Sequence, residues 1–268
     1  MTVFKKTRRN FLTAILTLAT GMLTASCVHE QKKEIIVSAA ISLKNAFEEI
    51  GSVYEKQTGV RPKFNFAASG ILQRQIESGA PVDVFAVAGR KQMDDVQQKG
   101  LLFDETRKDF ARNSLILITP ADSDLEIHSF YDLADVRVER ISIGNPKTVP
   151  VGQYAQEALT ALELWDKLQS KLIPAENARQ VLDYVSRGEV NAGLIYTSDA
   201  AISEDRIRVA AEAPGGSHEE ITYQIAVLKD SASSTAATGF IELILSKTGQ
   251  AILAKYGFTG AGLPGTQG

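Results

Sequence analysis

The feature that most constrains the fold is a change of period at residues 35–54 of this 268-residue chain. An apolar run from Ile35 to Ala40 ends at Ser42, and from Leu43 onward the apolar residues recur at three- and four-residue steps. The run predicts a buried strand, and the periodic stretch predicts a helix. The free N–H groups of the first helical turn then lie beside Ser42. They can bind an anion, or the serine can simply cap its own helix.

The same arrangement recurs further along the chain. The next strand ends at Ser69, a later turn opens a long helix at Val151, and another strand ends at Tyr196. In open α/β sheets, ligands bind beyond the carboxyl ends of the strands. Helix starts that converge there would surround an oxyanion with N–H and O–H donors and would need no cationic side chain. The alternatives are that Tyr196 is a half-buried strand-end residue and that Val151 only covers the lobe interior.

The order of elements predicts two α/β lobes. Strand, helix, strand, helix, strand at the start of the chain indicates a parallel sheet with crossover helices, and the pattern restarts after Pro120. We assign residues 34–117 and 226–260 to lobe 1, residues 118–225 to lobe 2, and residues 261–268 to a flexible tail. One helix is predicted to begin at residues 149–152 and to extend to Trp165, and another is predicted over residues 175–186. The strands at 114–119 and 223–228 are predicted to pair as they cross between the lobes, forming a hinge around a cleft.

The composition is that of a soluble globular protein, with 44% hydrophobic and 23% charged residues. The first 26 residues carry four basic residues and no acidic one, so removing them changes the formal net charge from −3 to −7. A mildly acidic mature protein argues against a nucleic-acid partner.

Residues 1–27 have the character of a signal peptide with a lipobox-like cysteine. A basic start is followed by an apolar region at 11–23, which is too short to span a bilayer, and by small residues before Cys27. Cys27 is the only cysteine, and it resembles the lipidated cysteine of bacterial lipoproteins. The alternative is ordinary cleavage nearby. The paired Arg8 and Arg9 leave both the Sec and the twin-arginine export routes open.

Motifs that would indicate catalysis are missing from the sequence. No G-x-S-x-G elbow and no glycine-rich phosphate loop after a strand occurs, and the three histidines are not spaced as metal ligands. We therefore predict a binding protein and not an enzyme, with no cofactor.

Six segments together resemble the molybdate-binding proteins of bacterial ABC uptake systems. They are AAISLKNA (39–46), FAASGIL (66–72), QIESGAPVDVF (75–85), GNPKTVPVGQYA (144–155), GLIYTSDA (193–200) and KYGF (255–258). The resemblance implies a two-lobed type II periplasmic-binding fold in which each lobe is a mostly parallel sheet flanked by helices. Its ligand, molybdate or tungstate, lies in the cleft between the lobes.

The resemblance also implies the site residues. The hydroxyl and N–H groups of Ser42 and Ser69, the backbone N–H groups of Val151 and Ala178, and the Tyr196 hydroxyl would bind the oxygens of the anion, with no direct bond from protein to metal. Val151 and Ala178 depart from the side chains usual in the family, and Gly70 replaces a polar residue. Because both positions act through the backbone in the family, the different side chains of Val151 and Ala178 do not remove the implied role.

The expected function is extracytoplasmic capture of molybdate or tungstate by hinge closure and delivery to an ABC transporter permease. We expect an exported monomer, attached to the membrane by lipid at Cys27. The alternatives are a binding protein for sulfate or phosphate, a hydrolase acting on a phosphate- or sulfate-bearing substrate, and a lipoprotein whose cleft docks another protein.

Overall fold

The computed structural model describes residues 34–203 and 205–261, and these residues form two mixed sheets flanked by helices. The first sheet takes strands from both ends of the described chain: β1 (Glu34–Ala40), β2 (Arg61–Ala67), β3 (Val84–Val87), β4 (Lys108–Asn113), β10 (Ile221–Val227) and β11 (Thr259–Gly260). Their order is β11-β4-β10-β3-β1-β2. The predicted parallel sheet is confirmed at β2, β1 and β3, whereas β10 runs antiparallel to β3 and to β4.

The second sheet takes its strands from the middle of the chain: β5 (Leu115–Pro120), β6 (Ile141–Gly144), β7 (Leu172–Ala175), β8 (Ala192–Tyr196) and β9 (Ile207–Glu212). Their order is β7-β6-β8-β5-β9. β7, β6 and β8 are parallel, and β5 is antiparallel to β8 and β9. We refer to the first sheet with its helices as lobe 1 and to the second as lobe 2.

Helices follow the strands in both lobes. Lobe 1 contains α1 (Lys44–Thr58), α2 (Ser69–Glu77), α3 (Arg90–Gln98), α8 (Ser234–Leu245) and α9 (Lys247–Lys255), and lobe 2 contains α4 (Pro150–Ala161), α5 (Trp165–Leu168), α6 (Ala178–Ser186) and α7 (Thr197–Ala200). Short 3-10 turns lie at Ile41–Leu43, Asp104–Thr106, Phe130–Ala134 and Gln169–Lys171. None of the helices in the described ranges is long and apolar enough to cross a membrane.

The core of lobe 1 forms around Phe47 on α1. This fully buried ring contacts the rings of Phe64, Phe110 and Phe240, with centroid distances of 6.2, 5.8 and 5.9 Å. Phe240 belongs to α8, so the C-terminal helices return to lobe 1, as the sequence predicts. Helix α1 ends at Gly59, whose φ of +73° is the left-handed conformation that terminates many helices. These contacts fix the start of α1, and with it Ser42, against the sheet.

The structure corrects several predicted elements. The strands at 114–119 and 223–228 do not pair with each other: β5 pairs with β8 and β9, whereas β10 pairs with β3 and β4. Strand β4, which the sequence reading missed, is the neighbour of β10. The predicted lobe boundaries fall within β5 and β10, and the sheets place all of β5 in lobe 2 and all of β10 in lobe 1.

Two predicted helices of lobe 2 are shorter than expected. The helix predicted to reach Trp165 ends at Ala161, because Glu163 adopts a φ of +59° and the chain turns before α5 begins. The helix predicted over 175–186 begins only at Ala178, since residues up to Ala175 form β7 beside β6. The predicted signal peptide, Cys27 and nearly all of the tail at 261–268 lie outside the described residues.

Candidate functional site

Four helix starts from the two lobes face one cavity. Ser42 lies in the 3-10 turn that precedes α1, Ser69 is the first residue of α2, Val151 follows Pro150 at the start of α4, and Ala178 is the first residue of α6. N–H groups in the first turn of a helix have no acceptor within that helix. Outside the helices and strands, the described residues also offer these four N–H groups no backbone acceptor. They are available to a ligand.

The cavity is small, with a volume of about 10 Å³, and is lined by all five predicted site residues. The rest of its described lining consists of alanine, isoleucine, valine and proline residues, so it contains no charged side chain. The side chain of Val151 is fully buried in the core. The side chain of Val151 therefore covers the interior of its lobe, as the predicted alternative states. This position is compatible with a backbone N–H group that faces the cavity.

Tyr196 contributes a hydroxyl group with no protein partner. The residue is 1% exposed, and its hydroxyl oxygen has no hydrogen-bond partner among the described residues. Burial raises the pKa of Tyr196 well above its usual value, with the nearby Tyr223, Tyr154 and Asp199 adding to the effect. The group therefore remains protonated. An unpaired buried donor of this kind is costly in the absence of a ligand, and such a group requires an explanation.

The two serine hydroxyls each have one partner in the protein. The oxygen of Ser42 lies 3.0 Å from the hydroxyl oxygen of Tyr223 on β10, and that of Ser69 accepts a hydrogen bond of 3.3 Å from the N–H of Ala88. Tyr223 is fully buried, and its ring contacts that of Tyr196 at 5.9 Å. The sequence reading missed Tyr223. The only signal would have been that a tyrosine buried in a strand needs a partner for its hydroxyl group.

Polar contacts join the lobes beside the cavity, among them one made by α2 and one made by α6. The N–H of Gly70 on α2 donates to the carbonyl oxygen of Thr148 at 3.1 Å, and Arg179 on α6 donates to Oδ1 of Asn45 on α1 at 2.9 Å. A Cβ atom on Gly70 would lie 2.7 Å from the Thr148 oxygen, so only glycine fits this approach. The N–H of Gly70 therefore joins the lobes, and the absence of a side chain is what permits the contact.

The chain matches the model of a known protein family. The family described as bacterial extracellular solute-binding protein matches residues 35–259, most of the chain. This chain belongs to that family.

The chain is also similar to individual proteins. The molybdate-binding protein ModA of Escherichia coli (strain K12) is 37% identical over 84% of this chain and 89% of its own length. YvgL of Bacillus subtilis (strain 168), described as an ABC transporter substrate-binding lipoprotein, is 35% identical over 92% of this chain and 95% of its own length. The fold resembles that of the periplasmic molybdate-binding protein of Azotobacter vinelandii, with a TM-score of 0.76, 24% identity, and coverage of 84% of this chain and 98% of that one. The predicted resemblance and the two-lobed fold are confirmed.

This solute-binding protein contains a buried ion pair next to the cavity. Nε of Arg179 lies 3.0 Å from Oδ1 of Asp199, which is fully buried. Burial raises the pKa of Asp199 to about 6, and the Arg179 guanidinium opposes the rise. Because Arg179 directly follows Ala178, a charge that Asp199 did not offset would lie close to the anion. The pair keeps the surroundings of the cavity close to neutral.

A larger open groove nearby has a different character. It is lined by Arg90, Lys91, Glu157 and Glu219 together with polar and apolar residues, so its charges have both signs. Among the residues that the structure describes, no three His, Cys, Asp or Glu residues are grouped to hold a metal ion.

Proposed function

We propose that this solute-binding protein binds molybdate or tungstate in the cavity between its lobes and delivers it to the membrane permease of an ABC transporter. The relatives named as molybdate-binding proteins support this proposal. The observation that carries it is the donor set: four backbone N–H groups and the hydroxyl groups of Ser42, Ser69 and Tyr196 converge on a cavity without a charged lining residue.

Such a donor set suits a fully deprotonated tetrahedral oxyanion. Each oxygen of the anion can accept hydrogen bonds from more than one direction, and the four helix starts spread a partial positive charge around it. A protonated anion would bring an O–H group that needs an acceptor, and burial without one costs about 1–3 kcal/mol. The proposed site residues are therefore Ser42, Ser69, Val151, Ala178 and Tyr196.

Thermal unfolding with different anions tests the ligand. Molybdate, tungstate, sulfate and phosphate are added separately and at equal concentration to ligand-free protein. An anion that binds only the folded protein adds about 2.7 kcal/mol at 100 times its dissociation constant. We expect stabilisation by molybdate and tungstate. Its absence would refute the oxyanion assignment, and equal stabilisation by sulfate would refute size selection.

Serine substitutions test the site. Ser42→Ala and Ser69→Ala should each weaken molybdate binding by about 1.5–3 kcal/mol, the range for a hydrogen bond to a charged group. Ser52→Ala is a matched control, because Ser52 lies on α1 and its hydroxyl group only donates to the carbonyl oxygen of Glu48. Unchanged affinity in both site variants would return the serines to a purely structural role.

We also propose that the protein is exported and attached to the membrane by lipid at Cys27, and that it acts as a monomer without catalytic activity. The signal-like residues 1–27 and the description of YvgL as a lipoprotein support the anchor. Cys27→Ala should release the protein from the membrane fraction and abolish labelling by a radioactive fatty acid. Labelling that survives the substitution would exclude this cysteine as the anchor.

A further inference from the structure

Two residues lie where the chain crosses between the lobes. Tyr223 contacts the hydroxyl group of Ser42 directly, and Asn113 contacts it through Tyr223. Asn113 ends β4 just before the chain enters lobe 2, and Tyr223 lies on β10, which follows the return from lobe 2. The hydroxyl oxygens of Ser42 and Tyr223 are 3.0 Å apart, and the distance alone lets either one donate. The hydrogen bonds of Asn113 decide between the two.

Two backbone N–H groups fix the orientation of the Asn113 amide. Its Oδ1 accepts hydrogen bonds from the N–H of Ser114 at 3.0 Å and from the N–H of Ser198 at 3.4 Å. Only the oxygen of the amide can accept, so Nδ2 lies on the other side. Nδ2 donates to Oγ of Ser198 at 2.8 Å and to the hydroxyl oxygen of Tyr223 at 3.4 Å. Tyr223 accepts from Asn113, and among the described residues its hydroxyl group has one other hydrogen-bonding neighbour, Ser42, so its single proton is donated to Ser42.

The direction of this hydrogen bond determines what Ser42 can offer a ligand. Because the Ser42 oxygen accepts from Tyr223, its own proton has no acceptor in the described protein, and Ser42 lines the cavity. Burial raises the pKa of Tyr223, so its hydroxyl group keeps the proton it donates. Ser69 is constrained similarly, since the N–H of Ala88 can only donate to its oxygen.

We propose that Tyr223 and Asn113 are positioning residues that make Ser42 a hydrogen-bond donor to the bound anion. The inference rests on the proposed function and adds a basis for selecting between anions that differ by one proton. Sulfate and hydrogen phosphate have the same charge and similar size, but hydrogen phosphate carries an O–H group that needs an acceptor. Hydroxyl groups held as donors leave that O–H group unpaired on burial.

Tyr223→Phe tests the role of the hydroxyl group. The substitution keeps a ring against Tyr196 and Phe258, whose centroids lie 5.9 and 5.2 Å away, and removes only the hydroxyl group that donates to Ser42 and accepts from Asn113. We expect the molybdate Kd to rise about two- to tenfold, the range for one net hydrogen bond. Once free to rotate, Ser42 can accept from hydrogen phosphate. The ratio of the hydrogen phosphate Kd to the sulfate Kd should therefore fall.

Competition against molybdate at about pH 8, where phosphate is mostly the monoprotonated dianion, measures this ratio. A purely structural role would weaken the binding of all these anions alike and leave the ratio unchanged, which would overturn the proposal. Tyr54→Phe is the matched control, because the Tyr54 hydroxyl group donates at 2.6 Å to the carbonyl oxygen of Ala236 and does not contact the cavity lining. The control should change neither the molybdate Kd nor the ratio.

A double variant separates this proposal from the proposed function. If Tyr223 acts through Ser42, then Ser42→Ala combined with Tyr223→Phe should bind molybdate no more weakly than Ser42→Ala alone. Additive losses would overturn the positioning role while leaving the molybdate site intact. Absence of molybdate binding by the unaltered protein would instead refute the proposed function.

Asn113→Asp provides a second variant of nearly unchanged shape. It keeps the oxygen that accepts from Ser114 and Ser198 but replaces Nδ2 with an acceptor, so Tyr223 would donate to residue 113 and Ser42 would donate to Tyr223. We expect molybdate to bind at least as weakly as it does to Ser42→Ala. In a Tyr223→Phe background the same change should cost less, because only its added charge and its altered contact with Ser198 then act. An equal loss in both backgrounds would overturn the proposal.

Discussion

Replacing Gly70 with alanine tests whether contact between the lobes contributes to anion binding. The N–H of Gly70 donates across the cleft to the carbonyl oxygen of Thr148 at 3.1 Å. A Cβ atom would lie 2.7 Å from that oxygen, and ordinary contact begins at 3.4 Å, so the groups must separate by about 0.7 Å. If the two groups move apart along the direction of the hydrogen bond, the distance from the Gly70 nitrogen to the Thr148 oxygen increases from 3.1 Å to about 3.8 Å, beyond the hydrogen-bonding range.

The expected cost falls on the closed form alone. Adding a methyl group where there is no room costs about 1–3 kcal/mol, and the lost hydrogen bond costs about 0.5–1.5 kcal/mol. Lobes held further apart also place the donors of lobe 1 and lobe 2 at longer distances from a shared anion. Because separating the groups relieves the clash by breaking the hydrogen bond, the two costs overlap, and we expect a loss of about 1–3 kcal/mol, which corresponds to a rise of roughly 5- to 150-fold in the molybdate Kd. Most of the change should appear in the dissociation rate.

Titration calorimetry with molybdate gives the Kd, and thermal unfolding without ligand gives the stability of the free protein. Gly215→Ala is the control, since a Cβ atom at that glycine would meet nothing within 4 Å. The Kd should rise for Gly70→Ala only, with little change in the stability of the free protein. An unchanged Kd would refute the reasoning. So would a loss of stability in the free protein as large as the loss of affinity, because the substitution would then act within lobe 1.

Three other substitutions give distinct outcomes. Tyr196→Phe should weaken molybdate binding by about 1.5–3 kcal/mol in calorimetry without destabilising the free protein to urea, because the hydroxyl group has no protein partner. Asp199→Asn should change the pH dependence of stability. The pKa of Asp199 is raised from 3.8 to about 6, so the folded protein binds the carboxyl proton more tightly than the unfolded protein does. The contribution of Asp199 to the free energy of unfolding therefore falls by up to about 3 kcal/mol as the pH rises from about 4 to 6, and it is constant above pH 6. Urea unfolding across that pH range should show this fall in the unaltered protein and lack it in the variant. Asn45→Ala removes the 2.9 Å contact from Arg179 across the cleft and should speed molybdate dissociation about two- to tenfold in stopped-flow displacement, with association unchanged.

The helix starts could be predicted from the sequence because they are local features. Ser42 and Ser69 each lie where an apolar strand pattern gives way to a helical one, and the structure places both at the start of a helix. The roles predicted for Val151 and Ala178 came from the family resemblance, since nothing in an apolar side chain indicates a free backbone N–H group. That all five predicted residues line one cavity follows from the parallel strands, whose carboxyl ends meet at the same edge of each sheet.

The partners of these residues could not be predicted because they are distant in the chain. Tyr223 lies 181 residues from Ser42, and the position of β10 between β3 and β4 in the sheet brings its hydroxyl group near that serine. The other neighbour of β10 is β4, whose sequence, KDFARN, lacks the apolar character of a central strand. The prediction therefore joined β5 to β10 and placed the crossing between the lobes incorrectly. Asn113, at the end of β4, could not be recognised as a site neighbour for the same reason.

The uncharged cavity lining has a consequence for release as well as for binding. Beside the cavity, the lobes are joined by contacts such as those of Gly70 with Thr148 and of Arg179 with Asn45, and each hydrogen bond of this kind contributes about 0.5–1.5 kcal/mol. Shifting a two-state equilibrium from 1:99 to 99:1 takes about 5.5 kcal/mol of differential binding. These two contacts together supply less than that, so they do not hold the lobes closed on their own, and an anion that accepts hydrogen bonds from the donors of both lobes would favour closure. A permease that separates the lobes would therefore part the four donors of lobe 1 from the three donors of lobe 2 in one step, and no cationic side chain in the cavity lining would retain the anion.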